Sequence, residues 1–169
     1  MRIFKLILIS IVILCIAVLF VFSLFPSHIR ISRVVNIHAS KEKIHAAIDD
    51  LSAWTKWNEF INQRNINKNL STPSFGKDAF VESAGMRIVI RSSMADSVKT
   101  IWIQKDKQQF DGGFNITGAD DQNVVVEWYF NFHFKWYPWE KLGSMFYDKQ
   151  LGPVMEKSLI NLKNYTENP

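Results

Sequence analysis

The chain has 169 residues, a formal net charge of +4 and a pI of about 9.2. Its excess of base is mild once the amino terminus is set aside: residues 26–169 hold eighteen basic against sixteen acidic side chains, too even a balance to indicate nucleic-acid binding. A single cysteine, Cys15, excludes intrachain disulfides and thiolate metal clusters, and there is no repeat or low-complexity segment.

Residues 6–25, LILISIVILCIAVLFVFSLF, are uncharged and apolar. A helix rising about 1.5 Å per residue covers roughly 30 Å over that length, the hydrocarbon thickness of a bilayer. A cleaved secretory signal is the competing reading, but such signals have an apolar core of about 7 to 15 residues ending at small side chains. This run is longer and closes on Ser23-Leu-Phe-Pro26. The sequence therefore predicts a single-pass membrane anchor, residues 1–25, and one domain, residues 26–169. Arg2 and Lys5 flank the run more closely than Arg30, Arg33, Lys41 and Lys43, which favours a cytoplasmic amino terminus and an extracytoplasmic domain. Cys15 follows Leu14 and precedes ten more apolar residues, which does not fit a lipidated cysteine and makes it packing material.

Ile29 to Ile37 is rich in β-branched residues and predicts a first strand, after a linker that includes His28. Ser40 is a helix N-cap, Glu42 suits the first turn, and Ile44, Ala47, Ile48 and Leu51 recur at helical spacing. Trp54 and Trp57 lie three apart in a second short helix. From about residue 65 to residue 135, turn signals at 73–76, 83–85, 104–108 and 118–121 divide apolar runs into an antiparallel meander. The clearest strand is Val124 to Trp136, with Val124, Val126, Trp128, Phe130, Phe132, Phe134 and Trp136 on one face and Glu127, Asn131, His133 and Lys135 among those on the other. Ile88 and Ile90 opposite Arg87 and Arg91, and Phe110, Phe114 and Ile116 opposite Gln109, Asp111 and Asn115, repeat the split. After Pro138 a helical stripe runs through Phe146, Leu151, Val154, Met155, Leu159, Leu162 and Tyr165, with Gly152-Pro153 expected to kink the helix or begin its main part. These elements give a two-layer α+β domain whose sheet covers the last helix.

The order of elements, carried by Arg33-Val-Val-Asn-Ile-His-Ala-Ser40, then Ile44, Leu51, Trp54 and Trp57, and closed by Leu151-Gly-Pro-Val-Met-Glu-Lys-Ser-Leu-Ile-Asn-Leu-Lys163, resembles the START-like (SRPBCC) superfamily, in particular its polyketide cyclase/dehydrase-type members. The resemblance implies a helix-grip fold: a seven-stranded antiparallel sheet wrapped around the carboxy-terminal helix, with a cavity for an apolar ligand between them. It transfers no catalytic residue, and Ser40-Lys41 stands where many relatives have a proline at the helix start.

Candidate lining for such a cavity is Trp57, Trp102, Phe110, Phe114 and the inner face of the clearest strand, namely Trp128, Phe130, Phe132 and Phe134, together with Met155 and Leu159. The same pattern also describes a filled core. Catalytic candidates are few. His133 lies on the wet face with Glu127, Asn131 and Lys135; Asp49-Asp50 and Asp120-Asp121 are adjacent pairs whose side chains diverge; Asp96 and Gln104 point in directions the sequence leaves open. His38 and His45 do not share a helix face, so no metal site is expected, and no phosphate, dinucleotide or nucleophile motif occurs. Arg87, Arg91, Lys99, Lys105 and Lys107 read as scattered strand charges rather than a headgroup-binding surface. The sequence thus favours a membrane-anchored, non-catalytic domain that binds a lipid or other apolar small molecule, without a cofactor. The alternatives are a cyclase- or dehydratase-type enzyme acting on a polyketide-like substrate, and a membrane-bound interaction module with a solid core.

Overall fold

The computed structural model describes residues 2–23, 28–62, 69–83, 85–104, 109–120, 123–133 and 138–168. Helix α1 (Arg2–Ser23) is long and apolar enough to cross a membrane, and its side chains from Ile3 to Val21 are exposed. Strand β1 (His28–Ile37) follows, then three short helices, α2 (Lys41–Asp49), α3 (Trp54–Trp57) and α4 (Glu59–Asn62). The meander consists of β2 (Asn69–Leu70), β3 (Phe80–Ser83), β4 (Met86–Met94), β5 (Ser97–Gln104), β6 (Gln109–Asp120) and β7 (Asn123–His133), and α5 (Pro138–Glu167) closes the chain.

The strands form one antiparallel sheet in the order β1-β7-β6-β5-β4-β3-β2. Together with the long carboxy-terminal helix this is the START-like, helix-grip architecture. Side chains alternate between its two faces, so the register decides what meets the helix. Ile31, Phe130, Gly112 and Thr100 lie in one row across β1, β7, β6 and β5, and Arg33, Trp128, Phe114 and Val98 in the next. Apart from Arg33, both rows are buried on the inner face, as the alternation in the sequence predicts. Gly112 is required here, because a Cβ would come within 2.7 Å of the Phe130 ring that lies across it. The β4–β5 hairpin turns at Ala95-Asp96, and the ladder slips between Ile90 and Ser92, a bulge that ends the simple alternation predicted from Ile88 and Ile90.

Ser40 caps α2, its Oγ accepting a hydrogen bond from the Lys43 amide at 3.3 Å. The buried face of α2 is Ile44, Ala47 and Ile48, as the spacing predicts. His28 is corrected from linker to first residue of β1, its ring edge-on at 4.6 Å to that of its register partner His133.

Helix α5 differs from expectation in two ways. It continues through Gly152-Pro153 as one helix beginning at Pro138, so of the two alternatives, a kink or a start of the main part, the second does not hold. Its stripe is also rotated at both ends: Phe146 is 61% exposed and Tyr165 is exposed, while Tyr147, Met155, Ser158, Leu159, Leu162 and Thr166 take the inner or half-buried positions. Ser158 and Thr166 can be buried there because their hydroxyls donate to the carbonyls of Val154 and Leu162 one turn back.

Polar fastenings set the helix against β1. Arg33 reaches Glu156 through Nε at 2.7 Å and Asp148 through Nη2 at 3.0 Å, crossing the bare backbone of Gly152, where any Cβ would collide with the guanidinium. The hydrogen bond to Glu156 outweighs partial desolvation and holds the Arg33 pKa above its ordinary value, Asp148 adding to the effect. Lys163 donates to the Asn36 carbonyl and the His38 amide donates to Glu167. The helix therefore runs in the same direction as β1, its amino-terminal half over the end of the sheet where β1 begins.

Candidate functional site

Register places the start of β1, the end of β7, the start of β6, the end of β5 and the start of β4 at one end of the sheet. That end directly follows α1, separated from it by residues 24–27. The inward positions there are Ile29, Phe132, Phe110 and Met86, of which Ile29, Phe110 and Met86 are only half-buried. Half-buried Tyr147 and Leu151 of α5 and Phe60 of α4 complete an apolar rim. Its rings touch: Phe110 meets Phe132 at 5.0 Å, and Phe132 meets Tyr147 at 4.9 Å.

Beneath the rim lies a deeper layer of aromatic side chains without exposed surface. Trp128 stacks on Phe114 at 5.0 Å with 23° between the planes, and meets Phe60 at 5.6 Å and Trp57 at 6.3 Å. Trp102 stands edge-on to Phe130 at 5.0 Å. Such edge and offset contacts suit the ring quadrupoles. Met155 and Leu159 press on it from α5.

The residues predicted as cavity lining thus divide by depth. Phe110 and Phe132 belong to the rim; Trp57, Trp102, Phe114, Trp128, Phe130, Met155 and Leu159 belong to the deep layer; Phe134 lies outside the described residues. Sequence reasoning missed Ile29, Phe60, Met86 and Tyr147. For Phe60 a signal was available, since Trp54, Trp57 and Phe60 recur every three residues, but Asn58 breaks the helical run between them.

The polar groups of the deep layer are mostly paired within the protein. Trp54 Nε1 donates to the Ile48 carbonyl at 2.8 Å, Trp57 Nε1 to the Ala47 carbonyl at 3.1 Å and Trp102 Nε1 to Thr100 Oγ1 at 3.0 Å. Glu59, buried against α5, accepts from Asn161 at 2.9 Å and lies 3.3 Å from Lys157 Nζ. Among the described residues, the buried side-chain atoms left without a partner are Asp49 Oδ1, Asn58 Nδ2, Ser83 Oγ and Trp128 Nε1.

The catalytic candidates do not converge on this layer. Asp96 sits in the β4–β5 turn on the outer face, where it lines a groove of about 800 Å³ with Val34, Lys41, Asn115 and Glu127. Gln104 is exposed at the end of β5, and His133 is exposed on the outer face. Asp49 and Asp50 bind different groups, though both hold the 74–76 loop, Asp50 accepting from Ser52 and Ser74, and Asp49 from the Gly76 amide. Burial alone would raise the Asp50 pKa, but these hydroxyl hydrogen bonds outweigh it and leave the carboxyl below its ordinary value. Glu127 follows the same pattern, with burial outweighed by Asn115 and Arg30. Its partner Arg30 also covers the Tyr129 ring at 4.0 Å, and burial raises the Tyr129 pKa. A second groove, of about 650 Å³, lies between α2 and the end of α5, lined by Ala46, Ala47, Asp50 and Tyr165 among others. Among the described residues no cluster of metal-ligating side chains occurs.

No family model matches the sequence, and no curated protein matches it. Solved structures do resemble its fold. A START superfamily protein from Mycobacterium smegmatis superposes with a TM-score of 0.59 at 14% identity, covering 82% of this chain and 97% of that one. The di-domain ARO/CYC protein StfQ of the steffimycin biosynthetic pathway gives 0.63 at 14% identity, covering 83% and 51%. DynU16, from the dynemicin biosynthetic locus, gives 0.55 at 12%, covering 85% and 48%. The chain spans about half the length of the latter two. At these identities the likeness establishes a START/polyketide cyclase-type fold and nothing finer.

Proposed function

We propose that this chain is a membrane-anchored START-like domain that accommodates a lipid or other apolar small molecule without transforming it. The observation that carries the reading is the half-buried apolar rim of Ile29, Phe60, Met86, Phe110, Tyr147 and Leu151, set at the end of the sheet that follows α1. Four linking residues extend no more than about 3.3 to 3.6 Å each, so an anchor in the bilayer keeps that rim within roughly 15 Å of the membrane surface. A molecule leaving the lipid phase would meet Phe110 and Phe132 first, with the aromatic layer below them as the floor. The absence of convergent acid-base groups among the described residues of this layer supports carriage rather than cyclisation.

The test is native mass spectrometry of the full chain released from detergent micelles, with lipid extraction of the same sample. A stoichiometric apolar adduct, lost on Phe110→Arg, supports the reading; repeated absence of any adduct overturns it. The close ring packing around Trp128 supports a second reading, a solid-cored interaction module on the membrane. It predicts no adduct and no effect of Phe110→Arg on partner capture.

A further inference from the structure

Four tryptophans, Trp54, Trp57, Trp102 and Trp128, are fully or almost fully buried around the aromatic layer. Three of them satisfy their indole N–H within the protein, at 2.8 to 3.1 Å. Trp128 does not: it is 0% exposed, and its Nε1 has no partner among the described residues. Leaving a buried N–H unpaired is unfavourable, and buried indoles ordinarily find an acceptor. A second unpaired donor belongs to the same neighbourhood in the chain. Asn58, also 0% exposed, accepts from the Phe60 amide through Oδ1 but has nothing bonded to Nδ2. It stands between Trp57, whose ring meets Trp128, and Phe60, whose ring meets it as well.

Both unpaired groups are donors, so what complements them is an acceptor. Arg33, which faces Trp128 across the β1–β7 register, is already paired with Asp148 and Glu156, and the rings around Trp128 are uncharged, which disfavours a buried carboxylate and favours an uncharged oxygen. We infer that the molecule taken up by this domain is an apolar compound carrying a neutral hydrogen-bond-accepting oxygen, of the carbonyl, ester or hydroxyl class, and that the Trp128 indole N–H holds that oxygen. The inference rests on the proposed apolar-ligand reading and deepens it: a plain hydrocarbon would leave the indole unpaired.

Two probes that differ only in the oxygen separate the two claims. Tridecane and 2-tridecanone are titrated into the full chain in micelles, with indole nitrogens labelled and the Trp128 signal assigned through its contacts to Phe114. The expected result is that the ketone moves the Trp128 indole proton downfield, leaves those of Trp54 and Trp57 in place, and binds about tenfold more tightly than the alkane after correction for micelle partition. Trp128→Phe should retain alkane binding and lose the preference. Equal binding of both probes, or a Trp128 signal unmoved by the ketone, overturns the inference and leaves the apolar-ligand reading standing. Failure of both probes to bind overturns that reading and the inference with it.

Discussion

Gly112 shows how one missing methyl group shapes the inner face. Replacing a strand glycine with alanine ordinarily stabilises by reducing backbone entropy in the unfolded chain, by about 0.5–1 kcal/mol. Here the new Cβ would approach Phe130 Cδ1 within 2.7 Å and Thr100 Oγ1 within 3.2 Å. The ring is held in turn by Trp102 and Phe60. Gly112→Ala should therefore reverse the usual sign and destabilise by about 1–3 kcal/mol, read as a lower denaturant midpoint. Asp50 offers a prediction with a pH sign. Its carboxyl pKa is lower folded than unfolded, so its contribution to stability is present above the unfolded value and lost as pH falls through the folded one. Glu127 contributes in the same direction. Thermal midpoints should fall on acidification below about pH 4, and Asp50→Asn should reduce that acid dependence while lowering the midpoint at neutral pH.

At the scale of elements, the strands were more legible than the closing helix. Alternation along β7 is read directly from the sequence, because each residue of a strand faces the side opposite to its neighbour, and one apolar face fixes all the others. Helix α5 is less constrained. Phe146 and Tyr165 fit a helical stripe by type, but the true face includes Ser158 and Thr166, whose hydroxyls are satisfied by the helix itself and so lose their polar signature. The fastening of its amino-terminal half was invisible for another reason: Arg33 is separated from Glu156 by 123 residues, and only the register of β1 brings them together. Arg33→Gln should loosen that half over the rim. Because Asp148 and Glu156 are more than half exposed, the stability loss should be at most about 1 kcal/mol. The sharper readout is hydrogen exchange, which should accelerate at residues 146–153 and stay unchanged at residues 159–166.

For the whole molecule, the relation between α1 and the sheet matters more than either part alone. The sequence showed the apolar helix, the α+β order and the aromatic face, since all three are matters of pattern. It did not show the rim, because Ile29, Met86 and Tyr147 become neighbours only through strand register and helix rotation. If α1 is an anchor, a charge at its centre should be costly: Leu14→Lys carries a penalty of about 2.5–3.5 kcal/mol for insertion, and should shift the protein from the membrane to the soluble fraction. On the proposed reading, lipid-phase molecules reach the aromatic layer through the rim beside the anchor. Its most direct test reconstitutes the full chain in vesicles containing a phospholipid with a photoactivatable acyl chain, then maps the cross-linked residues by peptide mass spectrometry. Labelling is expected at Phe60, Phe110, Phe132 and Tyr147 in addition to α1, whereas labelling confined to α1 would rule out entry through the rim.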